Sequence, residues 1–287
     1  MKNNLFCKSP HINLYKEPSY KSKISSQIIY GEKFKILVKK KKFTKIKTSY
    51  DNYVGYIKSS NYINKFKPTH KICVLKSRIF KYPKKLAKYK SKKLLPFSSK
   101  IQIFKKYKNF IMFDKNKWLN TQDVKLINQK EKNFIKVLKL FLNHKYKWGG
   151  KSFSGIDCSA LVQIFYQFNN KFFPRDTKDQ IKYSKINLKR KNFKKGDIIF
   201  WKGHVAVCIN SKKLIHAYGP KKKVKLKNIR KNDLIFWKGH VAIAVSKKDL
   251  IHAYGPLKST VKMNIKKTID KIYNTANLKV TGIRRVT

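Results

Sequence analysis

A repeat in the C-terminal half constrains the fold more than any other feature of this sequence. The run Ile199–Ala206 recurs unchanged as Ile235–Ala242, and Leu214–Pro220 recurs as Leu250–Pro256, in both cases 36 residues later. Each run is short and rich in apolar residues, and turn residues flank it, which is typical of β-strands. Two copies are too few for a solenoid array. We therefore interpret the repeat as a tandem duplication of one β-hairpin.

Short apolar runs also fill the N-terminal part of the chain. Lys33–Val38 and Phe110–Phe113 are examples, and turn residues separate one run from the next. Strands this short and this frequent are typical of small barrels. We predict one barrel in residues 1–66 and a second, more divergent barrel in residues 67–128.

The spacing of apolar residues changes near residue 129. Apolar residues between Phe134 and Leu142 recur at helical spacing, and a second helix is predicted from Asp157 to about Phe168. After Pro174 the pattern returns to short β-like runs. A length of 287 residues exceeds the usual size of one domain. We therefore predict an α+β protein in which two small β-barrels precede a third domain, residues 129–287.

The charge balance is extreme. The chain has 71 Lys and Arg residues against 13 Asp and Glu, which gives a net charge of +58 and attracts any polyanion. Almost all of these cations are Lys, they are spread from Lys2 to Lys279, and Arg occurs only six times. Dedicated nucleic-acid binders depend on local clusters and Arg forks. We therefore interpret the charge as compositional drift and predict no specific nucleic-acid partner.

Neither export nor a membrane span is predicted. Residues 1–7 lack the apolar core of a signal peptide, and no run of about 18 apolar residues occurs. The four cysteines, at positions 7, 73, 158 and 208, form no CxxC pair, so we predict no metal site. Reduced thiols in the cytoplasm are the simplest expectation.

Cys158 has the sequence setting of a reactive thiol. A thiolate is stabilised at a helix N-terminus and beside a histidine. Cys158 opens the predicted helix, directly behind the glycine-rich turn Gly149–Gly155. Cys208 instead lies in an alternating strand and has Ala244 as its counterpart in the repeat. We therefore predict Cys158 as a nucleophile and Cys208 as a small buried residue.

Two histidines on neighbouring predicted strands complete a candidate catalytic set. His204 begins one strand and His216 lies on the next. If Asn210–Lys213 form the turn between them, the two imidazoles lie within about 5–8 Å of each other. One ring can then act as the base toward Cys158 while the other orients it. The alternative is a pair of structural histidines.

These motifs closely resemble the nucleophile region of NlpC-type cell-wall cysteine peptidases. The resembling segments, in the order of that family, are Tyr146–Gly150, Gly155–Val162, Gly196–Trp201, Gly203–Ala206 and Ile215–Ala217. The resemblance implies a papain-like domain, in which a helix that carries Cys packs on an antiparallel sheet that carries His. No metal or organic cofactor is needed for such chemistry.

The same resemblance implies a role for each matching residue. Cys158 would be the nucleophile, His204 the base, His216 the residue that orients the base, and Tyr146 a group near the oxyanion.

The N-terminal barrels resemble bacterial SH3-like domains. For the first barrel the resemblance rests on Leu14-Tyr15, Pro18 and Gly55–Ile57. The order of domains, with SH3-like domains ahead of an NlpC-type domain, resembles that of the family branch that trims free murein peptides. That resemblance implies cleavage between γ-D-Glu and a diamino acid, in peptides with a free N-terminal L-Ala. It also implies that Asp157 and Ser159 help to hold the substrate amine.

The duplication leaves the source of the catalytic histidines open. Each repeat carries its own pair: His204 and His216 in residues 194–229, and His240 and His252 in residues 230–265. The first pair lies near the family's spacing from Cys158, so we favour it and keep the second pair as the alternative.

Two other functions remain open at this point. An amidase or acyltransferase of the same fold would use the same Cys–His chemistry. A wall- or polyanion-binding protein, with a catalytic domain impaired by the duplication, is the alternative from a different class. Polyanion binding that survives Cys158→Ala, without peptide cleavage by the unchanged protein, would favour that alternative.

Overall fold

The chain is rich in β-structure and has few helices. A computed structural model describes residues 5–39, 42–58, 62–184, 193–201, 203–220, 222–228, 233–237, 240–244, 249–254 and 259–285. Two compact units are present. The first comprises Met1–Asn187 and His216–Lys225, and the second comprises Leu188–Ile215 and Leu226–Thr287. No described helix combines the length and the apolar character needed to cross a bilayer.

Seven short antiparallel strands, the first β group, begin the first unit. They are β1 (Leu5–Cys7), β2 (His11–Tyr15), β3 (Ile24–Ile29), β4 (Lys33–Lys39), β5 (Phe43–Thr48), β6 (Val54–Lys58) and β7 (Tyr62–Ile63). Their order in the sheet is β3-β2-β6-β5-β4-β1-β7. Successive side chains of a strand point to opposite faces of the sheet. One face of these strands carries a fully buried core that includes Leu14, Ile28, Phe34, Ile46 and Ile57.

Eight further strands form the second β group. They are β8 (His70–Ile72), β9 (Lys76–Phe80), β10 (Lys90–Pro96), β11 (Lys100–Ile101), β12 (Lys105–Tyr107), β13 (Phe110–Asp114), β14 (Lys117–Asn120) and β15 (Val124–Leu126). They make a five-stranded sheet, β10-β9-β14-β13-β12, and a three-stranded sheet, β11-β8-β15. Short strands are therefore present throughout both regions in which the sequence predicts them.

The two β groups meet through a close backbone contact. Tyr30, from the turn after β3, packs into the core of the second group beside Ile79 and Leu119. The amide of Lys100 donates to the Tyr30 carbonyl at 3.0 Å. A Cβ atom on Gly31, whose φ is +74°, would lie 2.2 Å from the Lys100 carbonyl oxygen. Only glycine fits at this contact.

Three helices follow in the first unit. The elements are α1 (Phe134–Lys139), β16 (Lys151–Ser152), β17 (Gly155–Ile156), α2 (Cys158–Phe168) and α3 (Thr177–Tyr183). The predicted helix from Asp157 to Phe168 is confirmed as α2. Helix α1 ends earlier than the apolar spacing predicts, because Phe141 and Leu142 lie in turns beyond it.

The return to β-structure predicted after Pro174 is observed only beyond a third helix, which was not predicted. Helix α3 comes first, and the next described strand starts at Ile198. The buried residue of α3 is Gln180, whose amide donates to the carbonyl oxygens of Ser159 and Pro174. Because this contact is polar, α3 has no apolar stripe that a periodicity argument can detect.

The first repeat forms a four-stranded sheet in the order β18-β19-β20-β21. Its strands are β18 (Ile198–Trp201), β19 (His204–Cys208), β20 (Lys213–Tyr218) and β21 (Lys223–Asn228). In the second unit, β19 pairs with the start of β20 through Val207–Ile215 and Cys208–Leu214. From His216 onward, β20 belongs to the first unit, as does β21 up to Lys225.

The second repeat and the C-terminus form a five-stranded sheet and one helix. The elements are β22 (Asp233–Trp237), β23 (His240–Ala244), β24 (Asp249–Tyr254), β25 (Ser259–Asn264), α4 (Ile265–Ala276) and β26 (Val280–Arg285), and the sheet order is β25-β24-β23-β22-β26. Strands β25 and β26 agree with the short β-like runs predicted after Pro174, whereas α4 was not predicted. The boundary between the repeats, at residues 229 and 230, lies outside the described residues.

Lys71 connects the second β group to the end of α2. Its side chain is 1% exposed, and its Nζ donates to the Phe168 carbonyl at 2.6 Å. The same ammonium lies 4.3 Å from the centroid of the Phe168 ring. Since that carbonyl ends the helix, the helix dipole favours a cation there.

Burial lowers the pKa of Lys71 from 10.5 to about 8. Between about pH 8 and 10.5 the unfolded chain therefore binds more protons at this position than the folded chain, and stability rises with pH. We expect the free energy of unfolding of the unchanged protein, relative to Lys71→Met, to increase across this range. Urea denaturation at a series of pH values measures the difference. A difference that does not vary with pH would contradict the expectation.

Candidate active site

Helix α2 places Cys158 in its first turn. Asp157 is the N-cap, and its Oδ1 accepts a hydrogen bond from the amide of Ala160 at 2.8 Å. The amides at a helix N-terminus and the helix dipole stabilise a thiolate at such a position. The Cys158 side chain is buried, with 5% of its surface exposed.

The carboxylate of Asp157 is held by Arg175. Nη1 of Arg175 lies 3.0 Å from Oδ1, and Nη2 lies 2.7 Å from Oδ2, so the guanidinium binds both oxygens. The amide of Gly149 donates to Oδ2 at 2.9 Å. Asp157, the residue before Cys158, is therefore fixed by a buried ion pair and by the glycine-rich turn.

Arg175 also reaches the first β group. Its Nε donates to Oγ of Ser26 in β3 at 2.9 Å, and its Nη1 donates to Oγ of Ser159 at 2.9 Å. Sequence reasoning did not identify Arg175. The available signal was an Arg that directly follows Pro174 in a chain whose cations are almost all Lys.

Tyr146 lies beside the first turn of α2. Its backbone forms a bridge with Ile156, two residues before the cysteine, and its amide donates to the Lys222 carbonyl at 2.9 Å. Burial, together with the nearby Cys158 and Asp157, raises the pKa of the Tyr146 phenol. The hydroxyl therefore stays protonated and can donate a hydrogen bond, which an oxyanion requires.

His216 belongs to the same compact unit as Cys158 and Tyr146. Its side chain is 6% exposed and stacks on Tyr218, with ring centroids 5.0 Å apart. The turn after β20 continues to Gly219, where a Cβ would lie 3.4 Å from the Tyr146 ring. The segment that follows His216 is thus held against the residue predicted near the oxyanion.

The other predicted histidines lie in the second unit. His204 is half-buried in β19 and pairs with Trp201, and His240 and His252 lie in β23 and β24. Of these four histidines, all in strands that the structure describes, His216 is the one that shares a unit with Cys158.

A second carboxylate lies where the first β group meets α3. Asp176 is the N-cap of α3, and its Oδ2 accepts from the Tyr53 hydroxyl at 3.3 Å. Burial raises the pKa of Asp176 above its ordinary value. Neither residue was identified from the sequence, because only the fold brings Tyr53 next to Asp176.

Two segments of the chain match known protein families. Residues 143–232 match the NlpC/P60 family, and residues 14–61 match the bacterial dipeptidyl-peptidase Sh3 domain. The chain contains an NlpC/P60 domain. The predicted resemblance to this family of cysteine peptidases is therefore confirmed, and so is an SH3 domain in the first β group. The NlpC/P60 match includes Cys158, His204 and His216 and ends before His240.

Two named relatives each match about a third of this chain. Dipeptidyl-peptidase 6 of Lysinibacillus sphaericus is 33% identical over 87 residues, which cover 30% of this chain and 31% of the relative. Gamma-D-glutamyl-L-lysine dipeptidyl-peptidase of Bacillus cereus is 31% identical over 100 residues, which cover 32% and 30%. The chain thus matches less than a third of the length of either relative.

A solved structure shares the fold over most of the chain. An NlpC/P60 family protein from Bacillus cereus superimposes with a TM-score of 0.69 at 18% identity. The superposition covers 78% of this chain and 94% of that protein. At this identity the likeness concerns the fold alone.

Loss of Arg175 should weaken the first unit strongly. Arg175→Met leaves the buried carboxylate of Asp157 without its cation, and removing one partner of such a pair costs about 3–5 kcal/mol. The matched control is Lys117→Met, which breaks the partly exposed Lys117–Asp114 pair and should cost less than about 1 kcal/mol. Urea denaturation measures both free energies of unfolding. Equal losses in the two variants would contradict a structural role for the buried pair.

Proposed function

We propose that this protein is a cysteine peptidase that hydrolyses short bacterial wall peptides at the bond between γ-D-Glu and a diamino acid. The observation that carries the proposal is the setting of Cys158, at the start of α2 behind an N-cap that Arg175 holds in place. The substrate class is supported by the name of the Bacillus cereus relative, a gamma-D-glutamyl-L-lysine dipeptidyl-peptidase.

The settings of the other cysteines support Cys158 as the nucleophile. Burial raises the pKa of the thiols of Cys7 and Cys73, and it raises that of Cys208 to about 11. A thiol with a raised pKa is a poor source of thiolate near neutral pH. Cys208 is also fully buried in β19, in agreement with its predicted role as a small core residue.

The first pair of histidines is the better supported source of the base. The NlpC/P60 match ends at residue 232, so it contains His204 and His216 but neither His240 nor His252. His216 also lies in the compact unit of Cys158. We therefore assign the base to His204 and the orienting role to His216.

The proposed reaction has two halves. The thiolate of Cys158 attacks the γ-carbonyl carbon of D-Glu, and the Tyr146 hydroxyl donates a hydrogen bond to the resulting oxyanion. The imidazolium of His204 then gives its proton to the leaving amine, which departs as the diamino acid and leaves a thioester. In the second half, water loses a proton to His204 and attacks the thioester. The dipeptide is released and the thiolate returns.

Asp176 joins the predicted Asp157 and Ser159 as a candidate for the substrate amine. The carboxylate of Asp157 is already bound through both oxygens by Arg175. Asp176 lies near the charge of Arg175, and its Oδ2 accepts a hydrogen bond from the Tyr53 hydroxyl. Burial disfavours the charged form of Asp176, so an ammonium group bound beside it would stabilise the carboxylate. We assign a free N-terminal amine of the peptide to this carboxylate.

The finer domain arrangement is also part of the proposal. We propose that the second β group is a divergent second SH3-like domain, because it too packs short antiparallel strands around buried apolar residues. The region from residue 129 would then be a papain-like domain, in which α2 and the histidine strands carry the reacting groups.

Cleavage of L-Ala-γ-D-Glu-diaminopimelate tests the proposal. Cys158→Ala should reduce release of the diamino acid at least about a thousandfold, since it removes the nucleophile. The control is Cys208→Ala, which introduces the residue found at the equivalent position, Ala244, and should leave the rate nearly unchanged. Chromatography of the released amino acid measures both rates. A folded, reduced protein that fails to cleave would overturn the proposed substrate.

Substitution of single histidines tests the choice between the repeats. His204→Ala should lower kcat/KM by about 10²–10⁴, the usual contribution of a general acid–base. His240→Ala, at the same position of the second repeat, should leave kcat/KM unchanged in the full-length protein. The reverse result would assign the base to the second repeat.

A further inference from the structure

The two repeats share their backbone arrangement as well as their sequence. Strands β23, β24 and β25 have the bounds of β19, β20 and β21, each shifted by 36 residues. The strand register is also the same in both repeats, through the pairs Trp201–His204 and Cys208–Leu214 in the first and Trp237–His240 and Ala244–Leu250 in the second. The second repeat is therefore a complete hairpin and not a degraded copy.

The second repeat also holds the C-terminal elements. Strand β26 pairs along β22, from Asp233–Arg285 to Trp237–Val280. Helix α4 packs through Ile272 onto Leu250 of β24. In the sheet of the first repeat, as far as the structure describes it, β18 is an edge strand. A chain without the first repeat would therefore keep the β22–β26 pairing and the packing of α4, and it would lose the contacts between β18 and β26.

The first repeat contacts the region around Cys158 through backbone groups. The amide of Asn143 donates to the Val224 carbonyl at 3.0 Å, and the amide of Val224 donates to the His144 carbonyl at 3.0 Å. The amide of Tyr146 donates to the Lys222 carbonyl at 2.9 Å. Backbone hydrogen bonds of this kind do not depend on which side chain the residue carries.

The second repeat keeps what these contacts require. Thr260 is the counterpart of Val224 and, since it is not proline, it has the same amide and carbonyl groups. Gly219, which lies against the Tyr146 ring, has Gly255 as its counterpart. Both repeats thus meet the backbone requirements, whereas the fully buried Val224 is replaced by Thr260, which carries a hydroxyl.

We propose that the second repeat can replace the first as the source of the catalytic histidines. In a chain that lacks residues 194–229, β22–β24 take the place of β18–β20. His240 then acts as the base toward Cys158, and His252 orients it. This inference rests on the proposed function for its catalytic readout, but it concerns the interchange of the repeats and not the choice of substrate.

A further exchange between the repeats carries a cost in the backbone. Gly196 precedes β18 with a φ of +95°, and its counterpart is Asn232. Asn tolerates a positive φ better than other residues with a side chain, but less well than glycine. A deletion of residues 194–229 should therefore be made twice, once alone and once with Asn232→Gly.

The decisive measurement is the effect of His240→Ala in two settings. In the full-length protein this change should leave cleavage unchanged. In the protein that lacks residues 194–229, cleavage should persist within about tenfold of the full-length rate, and His240→Ala should then lower it by about 10²–10⁴. The matched control is deletion of residues 230–265, after which His204→Ala should still abolish cleavage.

Two results would overturn the proposal. One is a folded deletion protein that has no activity, with or without Asn232→Gly, while the full-length protein cleaves. The other is failure of the protein that lacks residues 194–229 to fold, with and without Asn232→Gly, as judged by circular dichroism. That failure would show that the second repeat does not fit the place of the first.

A readout without substrate separates this inference from the proposed function. The rate at which iodoacetamide alkylates Cys158, followed by mass spectrometry of its peptide, reports the thiolate that a neighbouring histidine stabilises. Replacement of the active base by alanine should lower this rate near pH 6. If the full-length protein cleaves nothing, but alkylation responds to His204→Ala before the deletion and to His240→Ala after it, the substrate is wrong and the interchange stands. If His240→Ala leaves the rate of Cys158 alkylation in the deletion protein unchanged, the interchange is overturned.

Discussion

The buried ion pair between Arg175 and Asp157 joins the start of α2 to the segment before α3, and Arg175 links both to β3. Removing two such charges from water costs several kcal/mol for each, and only good geometry with further hydrogen bonds offsets that cost. Arg175 meets this condition, because it binds both oxygens of Asp157 and also donates to Ser26 and Ser159. The start of α2 is therefore positioned by β3 as well as by its own chain segment.

Both ends of α2 are held in this way, and the charges match the helix dipole. An anion, Asp157, caps the N-terminus, and a cation, Lys71 from the second β group, binds the last carbonyl. A second buried pair, Lys151–Glu32, with Nζ and Oε1 2.8 Å apart, joins β16 to the turn after β3. The N-terminal β groups thus hold the helix that carries Cys158, and they help to fix its position.

Local patterns of sequence predicted some of these features and missed others for a physical reason. The helix that begins at Cys158 and the repeated hairpin could be predicted, because each has a continuous apolar pattern or a direct sequence identity. Helix α3 could not, because its buried contact is made by the amide of Gln180. Arg175 could not either, since its partners Asp157 and Ser26 are distant in sequence. Single polar contacts across the fold leave no periodic signal.

The identical strands also set a problem of partner choice during folding. Strand β19 meets the same sequence twice, at Leu214–Tyr218 and at Leu250–Tyr254. Closing the short turn to Leu214 costs about 2 kcal/mol less entropy than closing the longer loop to Leu250, because closure entropy grows with the logarithm of loop length. The shorter loop therefore favours pairing of β19 with Leu214–Tyr218 over pairing with the identical Leu250–Tyr254. This preference acts before any side chain is buried.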